Sequence, residues 1–356
     1  MRHIRTGLCL VALASLAACD VPTGLPQYDT EWNVPGKSTS ISVNTILPSG
    51  VSVSADNAAF QVTVSPASTS IARQLGQDCS ACAAANGQTI PKPAFTGSGS
   101  ASVAMPSNVT SATLVRDTLT VTISNGFNFD PIRPSTAAGS ARGTLSIFVK
   151  NGATVVGRDS LDGATQSLAV GSSTVRKIPL SGSIDGSSGL TVSTILNSPA
   201  GDPVQINSAS TITVTGAVGS FYVSSAKVNL ASQNVSAAPS DLDLHGMGSQ
   251  VTSHANGGSL FLTVDNPFAV AGNLTVAFNG GTQPVVKTIA LAGGTTTPTV
   301  TFSKSELDAL LGNDIQMTFS GNVSGTGVTV QPGQTISVSS RLQISINVGN
   351  SGSGGQ

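Results

Sequence analysis

LTVTISNGF (119–127) and LFLTVDNPF (260–268) follow one pattern: apolar residues at alternate positions, then Asn, one residue, and Phe. Apolar side chains two residues apart line one face of a β-strand and leave the other face polar. Working outward, the same alternation appears in FQVTV (60–64), LSIFV (145–149), TITV (211–214), LTVAF (274–278) and LQISI (342–346). Between such runs stand Asn125-Gly126, Asn151-Gly152, Asp162-Gly163, Asp185-Gly186, Asn256-Gly257 and Asn279-Gly280. Asn and Asp tolerate positive φ and Gly adopts it freely, as tight hairpins require. Many short strands with no helical period predict an all-β fold of stacked antiparallel sheets. One short helix is expected in SKSELDALLG (303–312), where Ser303 and Glu306 form a capping box and Gly312 ends the turn.

The two opening stretches also belong to a longer repeat. GTLSIFV (143–149) aligns with GNLTVAF (272–278), and IPLSGSIDG (178–186) with MTFSGNVSG (317–325), so a long unit recurs about every 130–140 residues. A shorter piece occurs three times, as ISVNTILPSGVSV…FQVTV (41–64), LTVSTILNSPAGDPVQI…TITV (190–214) and GVTVQPGQTISV…LQISI (327–346). The reading is two tandem, duplicated antiparallel β-sandwich units, at 39–187 and 188–349, with the middle short piece able to close the first or open the second. Each is long enough for its own core. A tail at 350–356 follows. The first unit carries an insertion at 66–95 that the second lacks, and an irregular insertion on a rigid sandwich is where function is expected.

Composition narrows the function classes. Charged residues make up 9% of the chain, aromatic residues 4% and hydrophobic residues 39%. That is too apolar and too weakly charged for a disordered chain. No Lys/Arg cluster exists to displace counterions from phosphates, so nucleic acid is excluded as a partner.

The N-terminus gives location. Arg2 and Arg5 precede an apolar run from Leu8 to Leu16, which has the form of a secretory signal too short to span a bilayer. The run ends in Leu16-Ala17-Ala18-Cys19, which resembles the lipobox of bacterial lipoproteins. That resemblance implies removal of residues 1–18, diacylglycerol on the Cys19 sulfur and an acylated new N-terminus, enough chains for stable anchoring. The chain is then a lipid-anchored bacterial cell-envelope protein that reaches the membrane through its lipid. Asp20 resembles the inner-membrane retention signal of enterobacterial lipoproteins, whereas the low-charge Ser/Thr/Gly surface favours the outer membrane. Residues 19–38, with Pro22, Pro26 and Pro35, read as an extended tether. Its Trp32 is expected to pack onto the first unit.

Candidate chemistry is sparse. Cys79-Ser80-Ala81-Cys82 is a CxxC without further soft ligands for a metal, and with Ala83 where haem attachment needs His. Export makes a structural disulfide between Cys79 and Cys82 the expectation. Asp241, Asp243 and His245 alternate and on a strand would share a face, with His254 nearby, a weak set of candidate metal ligands. The same alternation describes an amphipathic strand with Leu242 and Leu244 inward. Ser224-Ser225-Ala226-Lys227 has the spacing of penicillin-interacting enzymes but not their companion motifs or helix. Asp265-Asn266-Pro267-Phe268 resembles, over a dozen residues, the Asn-Pro step of the water-stress and late-embryogenesis type of β-sandwich. A turn closing a strand accounts for the same residues.

No enzyme signature and no cofactor emerge. The expectation is a non-catalytic binding or scaffold protein that docks on another envelope protein or on itself through weakly guarded sheet edges. The alternatives are a module for lipid or another small ligand, which needs an apolar cavity, and a metal-dependent enzyme built on the Asp/His set. Glycan is disfavoured by the scarcity of Trp and Tyr in the folded part.

Overall fold

The computed structural model describes residues 28–247 and 249–348. Cys19, the signal segment and the tail at 350–356 lie outside the described residues. The chain opens with β1 (Tyr28–Pro35), β2 (Thr39–Ser42), β3 (Val51–Val53) and β4 (Phe60–Thr63). A first block follows with β5 (Ser68–Gln74), the helical turns α1 (Leu75–Asp78) and α2 (Ser80–Ala84), β6 (Thr89–Pro91), β7 (Phe95–Val103) and β8 (Val109–Asn125). It continues through β9 (Thr144–Asn151), β10 (Thr154–Asp162), β11 (Ser173–Asp185), β12 (Leu190–Ser198), β13 (Pro203–Gln205) and β14 (Thr211–Ala217). The second block holds β15 (Ser220–Ser236), β16 (Ser240–Asp243), α3 (Ser249–His254), β17 (Ala255–Asn266), β18 (Ala271–Asn279) and β19 (Val285–Leu291). It ends with β20 (Gly294–Thr296), β21 (Thr299–Phe302), α4 (Lys304–Leu310), β22 (Asp314–Val330) and β23 (Thr335–Val348).

The fold is all-β and antiparallel, as the alternation requires. In the first unit the sheet β10–β9–β12–β7 packs against β11–β8–β14–β5. The two layers meet at both edges because glycines let strands approach. A Cβ on Gly99 of β7 would stand 2.4 Å from the Ile71 side chain, and one on Gly157 of β10 would stand 2.6 Å from Leu180. The second unit repeats the order, with β19–β18–β22–β15 against β20/β21–β17–β23–β1/β2. There Phe278 of β18 meets Phe302 of β21 edge to face at 5.1 Å. Alternate residues such as Leu145, Ile147 and Val149, or Leu274, Val276 and Phe278, are fully buried. Each stabilises the sandwich by about 1.5–3 kcal/mol.

β8 is 17 residues long and changes neighbour along its length. Residues Thr120 to Asn125 pair with β14, and Val109 to Leu114 pair with β15. β15 in turn pairs with β22, so one sheet runs through both units.

This arrangement corrects the expected boundaries. β12 and β14 pair with β9 and β8, so the middle short piece closes the first unit and a cut near 187 would split that sandwich. β1 and β2 pair with β23, residue for residue from Tyr28↔Val348 to Pro35↔Arg341 and from Thr39↔Val338 to Ser42↔Thr335. Residues 28–35 are therefore a strand of the second unit and not tether, and Trp32, opposite Ile344, lies 47% exposed there. The units expected in tandem are nested: the second begins at β1, is interrupted by the whole of the first, and resumes at β15.

Two local readings also change. IPLSGSIDG and MTFSGNVSG do not hold equivalent places, since β11 pairs with β8 whereas β22 pairs with β18 and β15. Both are long strands with Ser-Gly steps, a composition shared without shared position. Asn256-Gly257 lies at a register shift inside β17 and makes no hairpin turn. The expected helix is present over Lys304–Leu310: the Ser303 hydroxyl accepts from Glu306 N–H and the Glu306 carboxylate accepts from Ser303 N–H. Gly312 follows at φ +78°.

Candidate functional site

The insertion at 66–95 is not an irregular loop. Ser68–Gln74 is the edge strand β5, paired with β14, and the chain then turns through α1 and α2, where Cys79 and Cys82 form a disulfide. Both cysteines are buried, with Leu75 beside them in the core. Asp78 ion-pairs with Arg73, and a Cβ on Gly97 would stand 2.4 Å from the Asp78 carboxylate, so a glycine there admits the pair against β7. The segment expected to carry function instead walls one side of the first sandwich.

At its end Lys92 is 1% exposed. Its ammonium donates to Pro93 O (3.0 Å) and to Pro199 O, and sits 4.8 Å from the Phe95 ring centre and 5.3 Å from that of Phe129. Burial lowers its pKa to about 8. With carbonyls and rings occupying its donors, this lysine ties β7 to the segment after β12.

A second buried ionisable group lies where β8 changes neighbour. Asp117 is 5% exposed, its Oδ1 accepts from Tyr222 N–H (2.7 Å), and its Oδ2 is buried without a partner. Burial raises its pKa to about 6, against the opposing effect of hydrogen bonds from the Tyr222 and Val115 backbones. The neighbouring Arg116 takes φ +57° and reaches Asp56 at 3.2 Å.

Asp241, Asp243 and His245 do not converge. β16 ends at Asp243 and the chain turns, so His245 leaves the face that the two carboxylates share. Asp241 ion-pairs with Lys37 at 2.8 Å, and Asp243 Oδ1 accepts from the His245 backbone N–H at 3.2 Å. His254, on α3, has its Nδ1 2.9 Å from Ser253 Oγ. Among the described residues no group of three or more His, Cys, Asp or Glu could hold a metal ion. Leu242 and Leu244 are buried, as on an amphipathic strand. Ser224 and Lys227 lie on β15, a strand and not the helix that the enzyme motif needs.

Two openings of the first unit differ in kind. Beside Ile71, Leu145 and Val214, between the sheets of the first unit, the free space is about 10 Å³, room for one water at most. By contrast a groove of about 720 Å³ crosses the outer face of the β10–β9–β12–β7 sheet, lined by Arg73, Ser100, Phe148, Lys150, Val155 and Ile195 among others. In register across that face run Arg158, Phe148, Ser193 and Ser100, and beside them Val155, Lys150, Thr191 and Ser102. The register shift between Val155 and Gly157 lets both Val155 and Arg158 point outward. Sequence reasoning missed these residues, although Phe148 is an outward position of the alternating run LSIFV and Lys150 follows that run directly.

No family model matches the chain. No curated protein matches it either. Among solved structures the chain is similar to a "putative secreted protein" from Parabacteroides distasonis ATCC 8503, at 10% identity and TM-score 0.29, over 88% of this chain and 99% of that one. It is also similar to the cowpea mosaic virus top component, at 12% identity and TM-score 0.22, over 83% and 92% of the two chains. A third likeness is to Amycolatopsis orientalis exo-chitosanase, at 13% identity and TM-score 0.17, over 77% and 29%. Similarity this remote bears on no function.

Proposed function

We propose that this chain is a lipid-anchored protein of the bacterial cell envelope, held to the outer membrane through Cys19, whose β-sandwiches serve a non-catalytic binding or scaffolding role. The observation that carries the reading is the contrast between the filled interior beside Ile71, Leu145 and Val214 and the open groove on the outer sheet face. A lipid carrier would need an apolar cavity between its sheets. Lys92 and Asp117, whose pKa values are displaced most, are locked in the interior where no substrate reaches them. The Leu-Ala-Ala-Cys stretch supports the anchor, and no helix of the described residues is long and apolar enough to cross a membrane.

The two units arose, on this reading, by internal duplication followed by nesting. Shared strand order supports it, as do the paired asparagines that close β8 and β17. Asn125 donates from its amide to Phe129 O (2.9 Å) and Leu168 O (2.7 Å) and accepts from Phe127 N–H (2.9 Å). Asn266 donates to Val270 O (2.9 Å) and Ala292 O (2.9 Å) and accepts from Phe268 N–H (3.2 Å).

Protease shaving of intact and lysed cells, with wild type beside Cys19→Ala, tests the placement. Cleavage on intact cells and release of Cys19→Ala into the soluble fraction are expected. A wild-type protein already soluble would remove the anchor, and protection until lysis would turn the binding surface toward the periplasm.

A further inference from the structure

The outer face of the β10–β9–β12–β7 sheet carries cations at places where the second unit has none. Phe148 stands between Arg158 and Ser193, and two residues on, Lys150 stands between Val155 and Thr191. The same places in the second unit, fixed by the pairing of β18 with β19 and β22, hold Ala277 between Val286 and Thr318, with Asn279 two residues on. Two cations and an aromatic ring on one face thus answer to Val, Asn and Ala on the other. The strand frame explains neither set, because these side chains point away from both cores.

Lys150 and Arg158 enter no salt bridge among the described residues. The Lys150 ammonium lies 5.8 Å from the Phe148 ring centre. Arg73, at the groove rim, is already paired with Asp78. The one carboxylate at the end of this face, Asp162, accepts from Ala164 N–H at 2.8 Å, in the turn that follows β10. Most of the rest of the face is hydroxyl: Ser98, Ser100 and Ser102 on β7, Thr191 and Ser193 on β12, Thr144 and Ser146 on β9, interrupted by the exposed Ile195 and by Asn197 on β12. Neighbouring strands are about 4.8 Å apart and same-face residues about 6.8 Å apart, so these groups form a flat lattice.

We propose that this face binds an acidic polysaccharide. Its carboxylates would be held by Lys150 and Arg158, a sugar ring would rest on Phe148, and its hydroxyls would exchange hydrogen bonds with the Ser/Thr lattice. A flat face suits an extended polymer, since a compact anion would use the cations and leave the hydroxyl rows idle. Phe148 supplies the stacking surface that composition alone assigned to Trp or Tyr. The inference rests on the reading of the chain as a non-catalytic binding protein, and it is independent of the lipid anchor.

The test is affinity electrophoresis of the full mature chain carrying Cys19→Ala, in gels containing polygalacturonate or neutral dextran. Retardation by polygalacturonate alone, weakened by added salt, is expected. Lys150→Gln combined with Arg158→Gln should weaken it at least about tenfold. Phe148→Ala should weaken it as well, while Lys177→Gln, on another sheet, leaves it unchanged. Circular dichroism of each variant confirms that the fold is kept. Equal retardation in dextran, none in either gel, or insensitivity to the double variant overturns the proposal. So does binding to phosphatidylglycerol vesicles in place of polygalacturonate, which would make the face a lipid-surface contact. Failure here with anchoring intact would leave the envelope placement standing.

Discussion

Asn266 satisfies three backbone groups with one buried amide, and nothing smaller can do so. Asn266→Ala should cost about 2–4 kcal/mol, because Val270 O, Ala292 O and Phe268 N–H lose partners away from water. Asn266→Asp should be worse near neutrality, since a carboxylate would face two carbonyl oxygens. Lowering the pH should recover part of that loss by restoring a donor; urea unfolding of both variants at pH 4.5 and pH 7 reads this directly. Asp117 gives a second residue-scale test. Its folded pKa of about 6 lies above the ordinary 3.8, so the folded state holds a proton that the unfolded state has released. Stability from this group is full below about pH 4 and falls as pH rises to about 6, by on the order of 3 kcal/mol. Asp117→Asn should remove that slope from the stability difference between pH 4 and pH 6; an unchanged slope would mean that the carboxyl titrates normally.

At the scale of elements, what was legible in the sequence was what is local. The alternating runs, the capping box at Ser303 and the buried disulfide each depend on residues a few positions apart. Ser303→Ala should cost about 1 kcal/mol, seen as a lowered Tm, because the Glu306 N–H loses its hydroxyl acceptor while the backbone N–H at 303 still donates to the Glu306 carboxylate. The pairing of β1 with β23 was not legible, since it joins residues more than 300 positions apart and leaves no local trace. Prolines near the N-terminus made the stretch read as tether, although Pro35 only ends the strand. The groove residues escaped for another reason: no periodic rule selects side chains on the solvent face, and Phe148, Val155 and Ile195 stand there among polar neighbours. Ile41, fully buried on β2, tests the assignment of this segment. Ile41→Ala should destabilise by about 2–4 kcal/mol and speed amide exchange along β23, with little change in β9 or β12. Faster exchange in β9 and not in β23 would return the segment to the first unit.

For the whole molecule, nesting and the shared sheet bind the two units more tightly than a linker would. The first unit is encoded between β2 and β15, and β8 and β15 are hydrogen-bonded to each other. Calorimetry should therefore show one cooperative transition, with van't Hoff and calorimetric enthalpies in agreement. Two resolved transitions, with Ile41→Ala moving only one, would show units that melt independently.

Because β1 and β23 run antiparallel, the chain enters the second unit beside the point where it leaves. A pull on the segment ahead of Tyr28, directed along β1, would not peel the strand away bond by bond. It would load the eight paired positions from Tyr28 to Pro35 together, in shear. The first strand of the fold is then also its mechanical clamp, and force reaching the domain from its N-terminal side meets the strongest arrangement a sheet can offer.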